Sequence, residues 1–295
     1  VVVEQNVHLQ QLWEVRRFSD AGAEYQRLLT TGVADAESHL LGALVSRFQP
    51  DPDYRLARQA LELAEAAQPT GVTLGKVRLA MGNLLREIGE TTAAIERYQA
   101  FIQGVGEYKA LQAVCMGVAH YNLGLALRCA RRFDEAVAAY ESACQEFRAN
   151  DFPDYLRQCL QNMAWLHCLM GNVRDAESAL VESEELCESA EARWQQQVGW
   201  AYLEAISQEH ASALSRCDRI IKAEGEASPE VISHAYWVAG QVALSLGQVD
   251  QASVLADHAV TWSMQVKGDI RPMHDANNLR RDINQRKIHK DRSGA

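Results

Sequence analysis

The chain has 295 residues, 47% apolar and 23% charged, and its 29 basic against 39 acidic side chains give a net charge of −10. That balance favours solubility and excludes a general nucleic-acid binder, which needs a basic surface to displace counterions from phosphates. No apolar run approaches the roughly 20 residues that span a bilayer, and the opening VVVEQNVHLQ lacks the basic flank and long apolar core of a secretory signal.

In chain order, residues 1–34 read as a pair of helices with Trp13 and Phe18 near the bend, and 35–70 as a second pair. Residues 73–108 make a third pair, stopped by Gly104-Val105-Gly106. The fourth runs from about 110 to 150, and Asn150-Asp151-Phe152-Pro153-Asp154 reads as a turn with a cap for the next helix. The fifth reaches about 190, and the sixth holds the helix around Arg216 to Lys222. Ser228-Pro229-Glu230 then marks a joint, with Pro229 suited to a first turn. The seventh pair runs from about 230 to 267 and is ended by Gly268-Asp269. Pro272 opens a last helix with Met273, Ala276, Leu279 and Ile283 on one face and Asp275, Asn278, Arg281 and Asp282 on the other. Arg286, Lys287, Lys290 and Arg292 form a basic tail, read as a solvated end. No sustained alternation of β-branched and aromatic residues reads as strand.

The stretch Asn122 to Ala143, NLGLALRCARRFDEAVAAYESA, shows how the pairs are built. Leu123, Gly124 and Leu127 lie on its first helix, and Phe133, Ala136, Tyr140 and Ala143 share one face of its second, with Arg131 and Arg132 at the bend. Small residues such as Gly124 and Ala136 let two helix backbones approach closely. The pattern recurs in phase. The second helices carry Ala21, Ala57, Ala94, Ala136, Ala176, Ala213 and Ala252, at steps of 36 to 42 residues. Four residues later stand Tyr25, Leu61, Tyr98, Tyr140, Leu180, Cys217 and Ala256, and a turn glycine recurs at Gly89, Gly171 and Gly247. In the second pair the small residue is Gly42, with extra residues around Pro50 and Pro52, and Pro69 follows Ala57 by twelve.

This order of residue types resembles the tetratricopeptide repeat, W-x2-L-G-x2-Y…A-x3-F…P, with Leu123-Gly124 at the L-G and Ala136 with Tyr140 at the A-x3-F. The fold expected is all-α: a right-handed α-solenoid of about seven such helix pairs plus a C-terminal capping helix. Its expected organisation is a repeat array over residues 1–270, followed by the capping helix and basic tail over 271–295.

Chemistry is not expected. There is no G-x-S-x-G, Walker loop, G-x-G-x-x-G or H-E-x-x-H, and the nine histidines are scattered, with His120, His167, His234 and His258 on helices. The run Glu182, Glu184, Glu185 and Glu188 reads as a solvated face. Seven cysteines, an odd number without C-x-x-C, read as small packed residues of a cytoplasmic protein. No cofactor or metal is expected.

Function is therefore expected from the surface. The resemblance implies that the first helices line a concave groove that holds a protein or peptide segment. Its groove positions fall on Lys76, Asn83 and Arg86, then Tyr121, Asn122 and Arg128. They continue at Gln158, Gln161, Asn162 and Trp165, then Gln195 and Tyr202, and last His234, Trp237 and Gln241. Amides both donate and accept, so they suit a peptide main chain, while Trp and Tyr give apolar area and Arg binds carboxylates. Asn83 and Asn122 resemble the asparagines of the dicarboxylate clamp of chaperone-binding repeats, but Leu79, Gln158 and Asn162 stand where that clamp needs cations. Recognition of a free chaperone C-terminus is not expected. The partner is thus a protein or peptide segment, without direct nucleic-acid or membrane contact, and the ends of the array allow a homodimer. A second reading is the peptide-sensing regulatory module of a bacterial transcription regulator or signalling protein, similar to the repeat domains of Rap and PlcR-type pheromone receptors. Those receptors carry an effector segment ahead of their repeats, whereas here repeats begin almost at Val1.

Overall fold

The structure, a computed structural model, describes residues 2–104, 106, 113–266 and 271–293. Among these residues every extended regular element is a helix: α1 (Val2–Glu14), α2 (Phe18–Thr30), α3 (Ala36–Phe48), α4 (Tyr54–Ala66), α5 (Gly71–Glu87), α6 (Thr91–Gln103), α7 (Ala113–Cys129), α8 (Phe133–Ala149), α9 (Pro153–Met170), α10 (Val173–Glu184), α11 (Ala190–Ile206), α12 (His210–Lys222), α13 (Pro229–Ser245), α14 (Val249–Ser263) and α15 (Arg271–Ser293). These are seven pairs and a terminal helix. Val105, Gly268 and Asp269, expected at helix stops, lie outside the described residues, as do the side chains of Lys290 and Arg292.

The alanine series explains the pairing. Ala21, Ala57, Ala94, Ala136, Ala176, Ala213 and Ala252 all sit on second helices, and all have 0% exposure. The residue one turn later is buried in every pair, from Tyr25 to Ala256. On the first helices, close approach is made by the absence of a side chain. A Cβ at Gly82 would stand 2.8 Å from Cε1 of Tyr98, and one at Gly42 would stand 2.5–2.6 Å from three ring atoms of Tyr25. The tyrosine thus occupies the volume that the glycine leaves.

Six of the seven pairs close with the same turn. The residue five before the alanine takes a left-handed backbone: Arg16 (φ 56°), Gly89 (85°), Arg131 (60°), Gly171 (77°), Gln208 (65°) and Gly247 (75°). At Gly171 the turn is a Schellman motif, in which Gly171 N–H donates to Cys168 O at 3.1 Å and Asn172 N–H to His167 O at 2.9 Å. The second pair departs, as its two prolines predict. There Asp53 N–H donates to Ser46 O (2.9 Å), and the Asp53 carboxylate caps α4 by accepting from Leu56 N–H (2.8 Å). Between pairs, Asp35 and Ser38 make a capping box for α3, Ser189 and Ser228 cap α11 and α13, and Pro229 opens α13. The turn at 150–154 holds Pro153 in the first turn of α9, but its N-cap position is Phe152, which offers no side-chain bond.

Packing divides the chain into two compact units, Val1–Ala130 and Arg131–Ala295, at the turn between α7 and α8. Within the first, α1 packs on α3, α3 on α5 and α5 on α7; within the second, α9 packs on α11, α11 on α13 and α13 on α15. No two second helices meet to that extent among the described residues. In each unit the first helices are therefore the inner layer. The terminal helix α15 buries Ala276, Leu279 and Ile283, each at most 1% exposed, against α13 and α14. Arg281 and Asp282 face solvent, whereas Asp275, expected on the polar face, is 7% exposed.

Candidate partner-binding faces on the first helices

In the first unit, α5 and α7 position the polar groups. Asn83 and Asn122 are directly bonded: Asn122 Nδ2 donates to Asn83 Oδ1 at 2.9 Å, and Tyr98 Oη donates to the same oxygen at 2.8 Å. Burial pushes the Tyr98 hydroxyl up to about 12, against the pull of the Arg86 guanidinium beside it. One residue past Arg86, Glu87 accepts from Arg47 Nε of α3 at 2.6 Å and also lies 3.8 Å from Arg86. This ion pair is largely buried, with side-chain exposures of 11% and 6%. Sequence reasoning singled out neither Arg47 nor Glu87. Of the other expected groove residues, Lys76 is exposed, Tyr121 is half-buried and Arg128 is buried.

In the second unit, α9, α11 and α13 bring together residues far apart in sequence. The rings of Trp165 and Tyr202 lie 4.7 Å apart, those of Trp165 and Trp237 5.0 Å, and those of Tyr202 and Trp237 4.9 Å; His234 stands 4.8 Å from Trp165. All three large aromatics are buried, and Trp237 Nε1–H donates to the backbone oxygen of Asp275 on α15 at 2.9 Å. These rings are turned on one another and belong to the core of this unit.

Beside them runs an amide network. Arg157, buried and not foreseen, donates from Nη1 to Gln161 Oε1 and to Gln195 Oε1, each at 3.0 Å. Gln161 Nε2 donates to Gln196 Oε1 (3.0 Å), which also accepts from Ser183 Oγ (2.6 Å), and Gln196 Nε2 donates to Leu180 O (2.7 Å). Gln158 and Gln241 are half-buried. Asn162 donates to the Gln158 carbonyl (2.9 Å), and its side-chain oxygen accepts from Arg271 of α15.

No group of three or more metal-ligating side chains occurs among the described residues, and no helix there is long and apolar enough to cross a membrane.

The tetratricopeptide repeat family model matches residues 115–189. A tetratricopeptide repeat protein from Parabacteroides merdae has a similar structure, at 16% identity and a TM-score of 0.64, over 96% of this chain and 98% of that one. A Rap protein solved in complex with competence and sporulation factor is similar at 11% identity and a TM-score of 0.64, over 89% and 77%. The apo form of RapI is similar at 10% identity and a TM-score of 0.59, over 90% and 77%. No curated protein sequence matches the chain. The fold is that of tetratricopeptide-repeat arrays, and residues 115–189 carry the repeat's own sequence pattern.

Proposed function

We propose that the chain is a non-catalytic, cytoplasmic scaffold that holds a peptide or a partner's extended segment against the inner faces of its first helices. The observation that carries this reading is the way the asparagine pair is oriented. With Asn83 Oδ1 taken by Tyr98 and Asn122, and Asn122 Nδ2 engaged with Asn83, the groups outside that bond are Asn83 Nδ2, a donor, and Asn122 Oδ1, an acceptor. A donor beside an acceptor complements the carbonyl and N–H of an extended main chain. Arg86 and Arg128 add positive charge for an acidic side chain, and Tyr121 and Lys76 extend the same face. In the second unit, Gln158 offers an amide at the margin and Gln161, held by Arg157 and Gln196, fixes the network beside it, while Trp165, Tyr202 and Trp237 form the wall behind them. Partner capture from lysate by the wild-type chain and by a folded Asn83→Ala, Asn122→Ala double variant tests this. The variant is expected to lose the partner, and equal retention with equal affinity overturns the reading.

A second reading, a peptide-sensing regulatory module, draws on the likeness to a Rap protein solved with its peptide factor. It predicts that a short free peptide suffices for binding, where the scaffold reading predicts that a folded partner supplies the segment.

A further inference from the structure

Near the head of α9 a guanidinium is buried without a countercharge. Arg157 is 6% exposed. Both its hydrogen bonds leave from one nitrogen, Nη1, and end on neutral oxygens, Oε1 of Gln161 and Oε1 of Gln195, each at 3.0 Å. Its Nε is sealed from water with no partner, and Nη2 has none among the described residues. No carboxylate among those residues stands within ion-pair distance of it. The carboxylate joined to this network, that of Glu191, is one amide away. It accepts from Gln195 Nε2 at 3.5 Å and from the backbone N–H of Ser228 at 3.2 Å. Arg47 and Arg216, only half-buried, are by contrast neutralised by Glu87 at 2.5 Å and Glu204 at 2.6 Å.

Taking a guanidinium out of water is costly, and amide oxygens return hydrogen bonds but no opposite charge. An internal fastening between α9 and α11 does not need that charge, since a neutral amide donor would tie Gln161 to Gln195 without it. The bonds that are made leave a particular edge unused. Nε and Nη2 form the side of the fork that a carboxylate grips with two parallel hydrogen bonds. The two glutamines, one on the arginine's own helix and one on α11, hold the plane of the fork, so this edge is oriented in advance. The place also lies among the residues expected along the inner faces, with Gln158 next in sequence and Gln161 and Gln195 in contact.

Depth selects the ligand. A chain-terminal carboxylate sits on the main chain itself and does not reach below the surface, whereas glutamate carries its carboxylate on two methylenes. The unit's 25 acidic against 17 basic side chains repel an acidic segment elsewhere, which confines its acid to a place where a cation waits.

We propose that the unused edge of Arg157 receives the carboxylate of a glutamate side chain in the partner segment, with Gln161 and Gln195 as positioning residues. This rests on the reading that the inner faces hold a partner segment, and adds the chemistry of that segment in the second unit.

The test is an NMR titration of the full chain with three probes: N-acetyl-glutamate amide, N-acetyl-glutamine amide and N-acetyl-alanine, whose free carboxylate stands for a chain terminus. Wild type is expected to bind the glutamate probe saturably at one site. The affinity should exceed that for the glutamine probe at least tenfold and that for N-acetyl-alanine at least fivefold. The Arg157 Nε–H resonance should move downfield as its bond forms. Arg157→Gln is expected to abolish the binding, and Arg157→Lys, which keeps the charge without the two-pronged edge, to weaken it at least threefold. Absence of saturable binding, equal binding of the glutamate and glutamine probes, tighter binding of N-acetyl-alanine, or an Arg157 resonance that stays still at saturation overturns the proposal. If Arg157→Gln fails to fold by circular dichroism, the resonance of the wild-type chain decides. The titration needs no partner. A partner captured through Asn83 and Asn122 by a chain that ignores the glutamate probe would reject this proposal alone. The probe bound at Arg157 by a chain that captures no partner would reject the scaffold reading alone.

Discussion

Asn122 donates to Asn83 across 39 positions of sequence, and the oxygen that accepts it also holds the hydroxyl of Tyr98, a side chain with no exposed surface. Asn83→Ala therefore leaves a buried hydroxyl without its acceptor, which costs about 1–3 kcal/mol of folding stability. Tyr98→Phe in the same background should recover part of that loss. Denaturant titration of the four chains of this cycle checks it, and strictly additive losses would show that the bond contributes nothing.

The packing of glycine against tyrosine gives a contrast between two like substitutions. At Gly42 an added methyl meets the ring of Tyr25, whose hydroxyl is tied to His39 Nδ1 at 2.9 Å, so the ring cannot easily yield. At Gly199 it meets Cδ2 of Leu180 at 2.6 Å, the far end of a flexible chain. Gly42→Ala should cost about 1–3 kcal/mol. Gly199→Ala should be near neutral, because the alanine's helix propensity, about 1 kcal/mol better than glycine's, offsets a small rearrangement. Thermal melts of both variants decide this.

Ala136 is fully buried on α8, and Glu141 on the same helix is exposed. Ala136→Leu should lower stability by about 1–3 kcal/mol through overpacking, while Glu141→Leu should change it little. Equal melting temperatures for the two variants would contradict the alignment of the repeats.

The shared turn predicts gains as well as losses. Arg16, Arg131 and Gln208 hold a backbone conformation that costs a side-chain-bearing residue about 1–2 kcal/mol. Gln208→Gly should raise stability by about 0.5–1 kcal/mol after glycine's own entropic cost. Gly171→Ala should lower it by about 1 kcal/mol, through conformation alone, since nothing lies within 4 Å of the added methyl. Calorimetry on the two variants should show shifts of opposite sign.

Alkaline pH should weaken the fold. Burial pushes the Tyr25 and Tyr98 hydroxyls and the Cys168 and Cys217 thiols up to about 12, from ordinary values near 10 and 9. Between those values and 12 the unfolded chain has lost protons that the folded chain keeps, so stability falls as pH rises. The contribution is fully present below about pH 9 and gone above about 12. Melting temperature measured from pH 8 to 12 should decline with a slope that Tyr98→Phe reduces.

The repeat phase was legible because it is one spacing enforced seven times, and each alanine in it is sealed at a helix crossing. The turns were legible where they use glycine and hidden where Arg16 and Gln208 take the same backbone. Periodicity also marked Asn83, Asn122, Trp165 and Trp237 as residues of first helices. It could not show that the asparagines bond to each other, or that α9 and α13 converge until their indole rings lie 5.0 Å apart, because both depend on how far each pair rotates on the last. Asp275 shows the same limit: helical spacing put it on a polar face, and the packing of Trp237 on its carbonyl buries it.

The bond from Arg271 to Asn162 spans 109 positions. A stack held only by neighbours melts in increments, and its last helix frays first. Here the final helix is fastened three pairs back, so loosening it strains α9 as well as α14. From α9 onward the array should exchange its amide hydrogens as one cooperative block, with α15 protected nearly as long as α9. Cutting the Arg271 contact should let the end peel away first.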